Sequence, residues 1–204
     1  IWTLISLLLG TSSGDLHAQL IKGPYLIYAG VNTEMQVLWQ LAGTECGLIE
    51  RGGDTAFGGR SHLREADGVD HQHAYTISGL APGTLYHYRV THGVGSFATG
   101  SFRTAPASNA ANVKFLAYGD TRTYPADHDA VNAEMVNTYV ADSEYQTFTL
   151  HAGDWVGSGD SETGWSTEFF DPSRLNTREL QANLPIQGCR GNHEQTGTLY
   201  AKYW

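Results

Sequence analysis

The chain has 204 residues, enough for one large domain or two small ones. Charged residues make up 16% and hydrophobic residues 41%, which excludes a disordered composition. A formal net charge of -9 with no basic run argues against nucleic-acid binding through a basic patch; the acidic excess suits divalent cations, although most acidic proteins are merely soluble. Cys46 and Cys189 have neither a disulfide-framework nor a zinc-finger spacing and read as two unpaired, partly buried thiols.

Residues Ile1 to Gly10 are an apolar run too short to span a bilayer, so no transmembrane anchor is expected. The run resembles the apolar part of a secretory signal peptide over residues 1–18, with cleavage after Ala18 and Leu16 at the third position before the cut. A buried N-terminal strand or helix is the alternative. There is no initiator Met and no basic leader, so the start reads as clipped. The signal reading implies a secreted, periplasmic or cell-surface protein, where disulfides are permitted.

From Gly23 to about Thr104 the pattern is all-β. Met35, Val37 and Trp39 alternate with polar Glu34, Gln36 and Gln40, which predicts a half-buried strand. Leu48 to Arg51 runs into a Gly52-Gly53-Asp54 turn, and further strands are predicted at Ala74–Ile77 and Leu85–Val90. Short strands at this spacing predict a β-sandwich over residues 19–106. The arrangement of Leu80, Pro82, Gly83 and Tyr86 resembles a fibronectin type III domain, in which a tyrosine hydroxyl ties back to the loop backbone. Tyr86 is the corresponding residue. His62, His71, His73, His87 and His92 read as isolated surface histidines, although His71-Gln72-His73 has a spacing that a metal can use.

Ala105 to Asn112 lacks periodicity and reads as a linker. Strand-helix alternation follows over residues 111–204. Asp127 is placed to cap a helix starting near His128, with Val131, Met135, Val136, Tyr139 and Val140 as its apolar face. Trp165, Phe169 and Phe170 share a second helical face, Asp171-Pro172 breaks it, and Leu175 to Leu180 restart a helix.

Three apolar runs in this half each end in a short polar loop. Val113–Tyr118 leads to Gly119-Asp120, Phe148–Ala152 to Gly153-Asp154, and Leu184–Arg190 to Gly191-Asn192-His193-Glu194. The intervals of 34 and 38 positions between Asp120, Asp154 and Asn192 each fit a strand, a crossover helix and a return. Parallel neighbours then deliver all three loops to the carboxyl edge of one sheet, where open α/β sheets bind ligands. Carboxylate, amide and imidazole groups held on strand ends suit hard divalent cations. One Gly-Asp pair carries nothing in a chain with 24 glycines; the joint pattern carries the signal.

The three loops resemble the first three motifs of the calcineurin-like metallophosphoesterases, and the preceding sandwich brings the match closer to the purple acid phosphatase branch. The resemblance covers about Gly23 to the end. It implies an α/β metallophosphoesterase domain, a phosphate ester substrate and two metal ions drawn from Fe, Zn, Mn or Mg. Under it Asp120 binds the first metal, Asp154 bridges both, and Asn192 binds the second. His193 contacts the phosphate and protonates the leaving oxygen, while a hydroxide between the metals attacks phosphorus in line.

Two residues depart from the pattern. Where the wider family has histidine two positions after the first Asp, this chain has Arg122, and where the purple branch has tyrosine three positions after the bridging Asp, it has Gly157. His128 is a candidate replacement ligand, or a solvated histidine at a helix start. Arg122 either clamps a phosphate oxygen or forms a salt bridge with Asp120. His151 reads as packing, or as a support behind the ligands, rather than as a ligand. The family's later histidine-bearing loops have no counterpart before Trp204, so the chain is expected to be a fragment, close to inactive by itself. The rival reading is a non-catalytic binding or structural protein with a degenerate phosphoesterase scaffold.

Overall fold

The computed structural model describes residues 19–43, 47–62, 70–93 and 95–204, with backbone alone at 60–62. The signal-peptide reading of residues 1–18, the Cys46 thiol and the His62 side chain lie outside the described residues.

Seven strands build the first half: β1 (Leu20–Ile27), β2 (Met35–Leu41), β3 (Leu48–Gly52), β4 (Gly59–His62), β5 (Gln72–Ile77), β6 (Leu85–Thr91) and β7 (Phe97–Arg103). They form two antiparallel sheets, β1-β2-β5 and β4-β3-β6-β7. Inward residues of both meet in one core of Leu26, Met35, Val37, Trp39, Leu41, Ile49, Ile77, Tyr88, Val90 and Phe102. The Ala81 N–H donates to the Tyr86 hydroxyl at 2.9 Å, the tie predicted for that tyrosine.

The first sheet differs from expectation. Alternation in β2 predicts one solvent face, yet Leu38 and Gln40 are also buried. The reason is a second layer: Tyr25, Ile27 and Leu38 project away from the sandwich into a core shared with Trp155, Trp165, Phe169, Phe170, Ile186 and Tyr203. Buried Gln40 is satisfied there, accepting from Lys22 Nζ at 2.5 Å and donating to the Asp70 carbonyl at 2.7 Å. His73, read as a surface histidine, is fully buried and stacks on Trp39 with centroids 5.1 Å apart.

The second half carries a parallel sheet of β8 (Leu116–Tyr118), β9 (Thr149–His151) and β10 (Ile186–Gly188), in the order β10-β9-β8. The predicted apolar runs are these strands, although β8 starts only at Leu116; Val113 and Phe115 before it are exposed. Helices α1 (Pro125–Ala141) and α3 (Leu175–Asn183) pack on each other and on β8 through Met135, Tyr139, Leu180 and Leu184. Single-turn α2 (Glu162–Gly164) runs into a π turn at Trp165–Phe169, and α4 (Thr198–Tyr203) ends the chain.

Two helix expectations are corrected. Asp127 is not the cap: α1 opens with Pro125 in its first turn, and Asp127 lies inside that turn. The buried stripe is His128, Asn132, Met135 and Tyr139, whereas Val131 and Val140 are 48% and 72% exposed. Polar residues can line it because partners face them: Tyr118 and Phe169 rings stack on His128, and Thr177 Oγ1 accepts from Asn132 Nδ2 at 2.9 Å. The Trp165–Phe170 segment keeps all three aromatics buried because Phe170 N–H donates to the Trp165 carbonyl at 2.8 Å, a π-type step that turns consecutive phenylalanines inward. Cys189 is exposed rather than partly buried.

Candidate active site at the carboxyl edge of the parallel sheet

Because β9 is the central strand, the loop bearing Asp154 lies between those bearing Asp120 and Asn192. Both aspartates leave their strands in the left-handed region, Asp120 at φ 53° and Asp154 at φ 57°. That region costs a side-chain-bearing residue energy, and Asp tolerates it better than most. The loops are laced together by Asp120 N–H donating to the Gly153 carbonyl at 3.0 Å and Ala152 N–H to the Tyr118 carbonyl at 2.9 Å. Glycine is required twice here. A Cβ on Gly153 (φ 95°) would lie 2.7 Å from the Gly191 nitrogen, and one on Gly191 would fall on the Asp154 carboxylate.

Glu194 fastens the second and third loops together. It is fully buried and accepts three backbone N–H groups: Asp154 at 2.9 Å, Trp155 at 2.8 Å and Gly191 at 2.7 Å. Glu168 ties the first loop to the second, accepting from Thr123 N–H at 2.8 Å and Gly157 N–H at 2.9 Å. A Cβ on Gly157 would meet Glu168 Oε1 at 3.2 Å, so the space beside position 157 is taken by a carboxylate. Glu194 stands in a recognisable motif without a role legible from it; Glu168 has no sequence signal, because the π turn before Phe170 sets its direction.

His151 supplies a third tie, the packing role read from sequence. Its Nδ1 accepts from Gly153 N–H at 3.2 Å, which leaves the proton on Nε2 facing Thr121 Oγ1 at 3.1 Å; that hydroxyl in turn donates to the Trp155 carbonyl at 2.9 Å. The ring stacks on Trp155 at 3.7 Å, and burial pushes its pKa down to about 3.

Asp120 and Asp154 come together around Arg122. Its Nε lies 2.9 Å from Asp120 Oδ1 and 3.4 Å from Asp154 Oδ2. His193 N–H donates to Asp154 Oδ1 at 3.1 Å, and its Nδ1 lies 2.9 Å from the Gly157 carbonyl. A carbonyl only accepts, so Nδ1 carries a proton and Nε2 is the nitrogen left for exchange. Asn192 is exposed, between Gly191, where an added Cβ would meet the Asp154 carboxylate, and His193, whose N–H bonds that carboxylate; its side chain makes no hydrogen bond to either aspartate. His128 lines a cavity of about 250 Å³ with Asp120, Arg122, Tyr124 and Asp127. Its ring is stacked and buried, and burial pushes its pKa down to about 4.

Among the described residues no group of three or more His, Cys, Asp or Glu side chains is gathered as a metal cage. Asp154 and Asn192 carry oxygen donors on adjacent loops, the donor chemistry that a hard cation takes. The Asp120 side does not fit a second, since the space between its carboxylate and that of Asp154 is held by a guanidinium.

The fold has counterparts among solved structures. Among solved structures the chain is similar to purple acid phosphatase PPD1 from yellow lupin (Lupinus luteus) seeds, with 17% identity and a TM-score of 0.63, over 89% of this chain and 36% of that one. It is also similar to PhoD, with 16% identity and a TM-score of 0.57, over 85% of this chain and 38% of that one. The chain thus spans well under half the length of either. No family profile matches the sequence, and no curated protein matches it. Among the described residues no helix is long and apolar enough to cross a membrane.

Proposed function

We propose that the protein is an exported, metal-dependent phosphoric-ester hydrolase whose site is the carboxyl edge of the parallel sheet. The observation that carries this reading is the meeting of Asp120 and Asp154, from neighbouring strand ends, about one cationic nitrogen in a fold shared with a purple acid phosphatase. The resemblance in sequence implies two metal ions; the donor set here supports one, held by Asp154 and Asn192. When bound, a divalent cation supplies charge neutralisation and an acidified water.

The chain's own groups do the rest. Arg122 offers planar donors to phosphate oxygens. His193, its Nδ1 anchored on Gly157, holds a proton at Nε2 in its charged form and gives it to the departing ester oxygen as the P–O bond breaks. Glu194, Glu168 and His151 keep the three loops in register, which fixes the distance between these groups.

The test is hydrolysis of p-nitrophenyl phosphate by the full-length protein with Mn2+, Zn2+, Mg2+ or Fe supplied in turn. Turnover that Asp154→Asn abolishes supports the reading. A second reading, a binding protein on a phosphoesterase scaffold, draws on the ion pairing of Arg122 and on Glu168 beside Gly157. Absence of turnover with every metal, in a folded protein, favours that second reading.

A further inference from the structure

The pairing of Arg122 with both aspartates is the feature that the phosphoesterase reading leaves unexplained. Its Nε is close to both Asp120 Oδ1 and Asp154 Oδ2, yet makes no aligned hydrogen bond to either and is shielded from solvent. The guanidinium is therefore held by charge rather than by a fitted donor-acceptor pair. Its two terminal nitrogens make no hydrogen bond to the protein among the described residues, although an arginine serving only as a salt bridge commonly turns that fork onto the carboxylate. Arg122 lines the cavity that Asp120 and Tyr124 also line.

Coordination by Asp120 and Asp154 together needs a cation within about 2.0–2.6 Å of their oxygens. Arg122 Nε already occupies the space between those oxygens. A guanidinium does not lose its proton at any working pH, so it neither becomes a ligand nor stops repelling a second cation. Histidine at the same position would do both. Charge balance runs the same way. The two carboxylates are half neutralised by Arg122, which leaves room for one divalent cation before the site turns strongly positive.

Building on the phosphoesterase reading, we propose that Arg122 is a resident cation in the first-metal position, so that this site takes one divalent cation fewer than a two-metal centre and the guanidinium fork supplies the remaining positive charge to the phosphate. The experiment is Mn2+ stoichiometry on the full chain by equilibrium dialysis, with electron paramagnetic resonance of the bound ion, for the wild type and Arg122→His. The histidine variant is expected to bind one Mn2+ more per chain than the wild type. Its spectrum is expected to change from that of an isolated ion to that of an exchange-coupled pair. Equal stoichiometry in the two proteins overturns the proposal. Equality at two ions per chain leaves the phosphoesterase reading standing, and equality at zero removes both. Circular dichroism checks the fold. Should the histidine variant not fold, Arg122→Gln, similar in shape and uncharged, replaces it: one Mn2+ more than the wild type supports the proposal, and an equal number overturns it.

Discussion

Glu194 shows how one buried charge can organise a site without touching a substrate. Its carboxylate is sealed from solvent, which is costly unless every lone pair is used. Here three amides from two loops use them, at 2.7–2.9 Å. Two of those amides belong to Asp154 and its neighbour Trp155, so the bond network pins the backbone on which the central carboxylate turns. Glu194→Ala strands one buried and two part-buried N–H groups and is expected to cost about 3 kcal/mol, read as a lower urea midpoint at unchanged slope. Glu194→Gln keeps an acceptor and is expected to cost less. Equal stability of wild type and the alanine variant would show that water replaces the carboxylate and that the loops need no clamp. The motif containing Glu194 is legible in sequence; its role is not, because the amides it receives lie 39 and 40 positions away in the chain as well as beside it.

Elements differ in the same way in how much of them the sequence carries. The three strand ends are readable because an apolar run followed by Gly-Asp or Gly-Asn is a local pattern, and parallel order follows from the spacing. The buried face of α1 is less readable. Valines dominate its periodicity, but burial goes to His128 and Asn132, whose partners are supplied by other elements. Asp129, one position on from His128, makes the most consequential of these contacts. Helix α3 has no capping side chain of its own at Arg174; instead Asp129 Oδ1 accepts Thr177 N–H at 2.9 Å and Thr177 Oγ1–H at 3.0 Å, while Oδ2 accepts from Asn176 Nδ2 at 2.9 Å. A carboxylate from one helix thus caps the next, where the positive end of its dipole favours negative charge. Asp129→Ala is expected to cost about 1–2 kcal/mol, a fall in Tm of about 2–4 °C per kcal/mol for a chain of this size. Asp129→Asn, which retains an acceptor, should recover part of it. A melting temperature unmoved by the alanine change would mean that α3 is fixed by packing alone.

At the scale of the whole molecule, the question is whether sandwich and α/β half are two folding units or one. Alternation along β2 suggests a sheet with a wet side, and a linker between the halves suggests independence. The packing argues otherwise. Tyr25 of β1 is 1% exposed, its ring 5.1 Å from Phe170 and 5.6 Å from Trp204, and its hydroxyl donates to the Tyr203 carbonyl at 3.2 Å. Farther along, Tyr88 donates to the Ala182 carbonyl at 2.9 Å, and Ser101 N–H and Oγ–H both donate to Asn183 Oδ1 at 2.7 and 2.9 Å. Buried apolar area and satisfied polar groups both cross the boundary, so separating the halves exposes a core as well as breaking bonds. Unfolding is therefore expected in one cooperative transition, with calorimetric and van't Hoff enthalpies in agreement. Tyr25→Ala removes a ring that the sandwich strand β1 contributes to the shared core and is expected to cost about 3–5 kcal/mol, lowering the midpoint seen by tryptophan fluorescence and by far-ultraviolet circular dichroism together. With Trp39 of the sandwich replaced by Phe, the probes report different halves, since Trp155, Trp165 and Trp204 all sit in the α/β half whereas most strand residues belong to the sandwich. If Tyr25→Ala shifts the fluorescence transition and leaves the circular-dichroism transition in place, the halves fold separately and the shared core is only an interface.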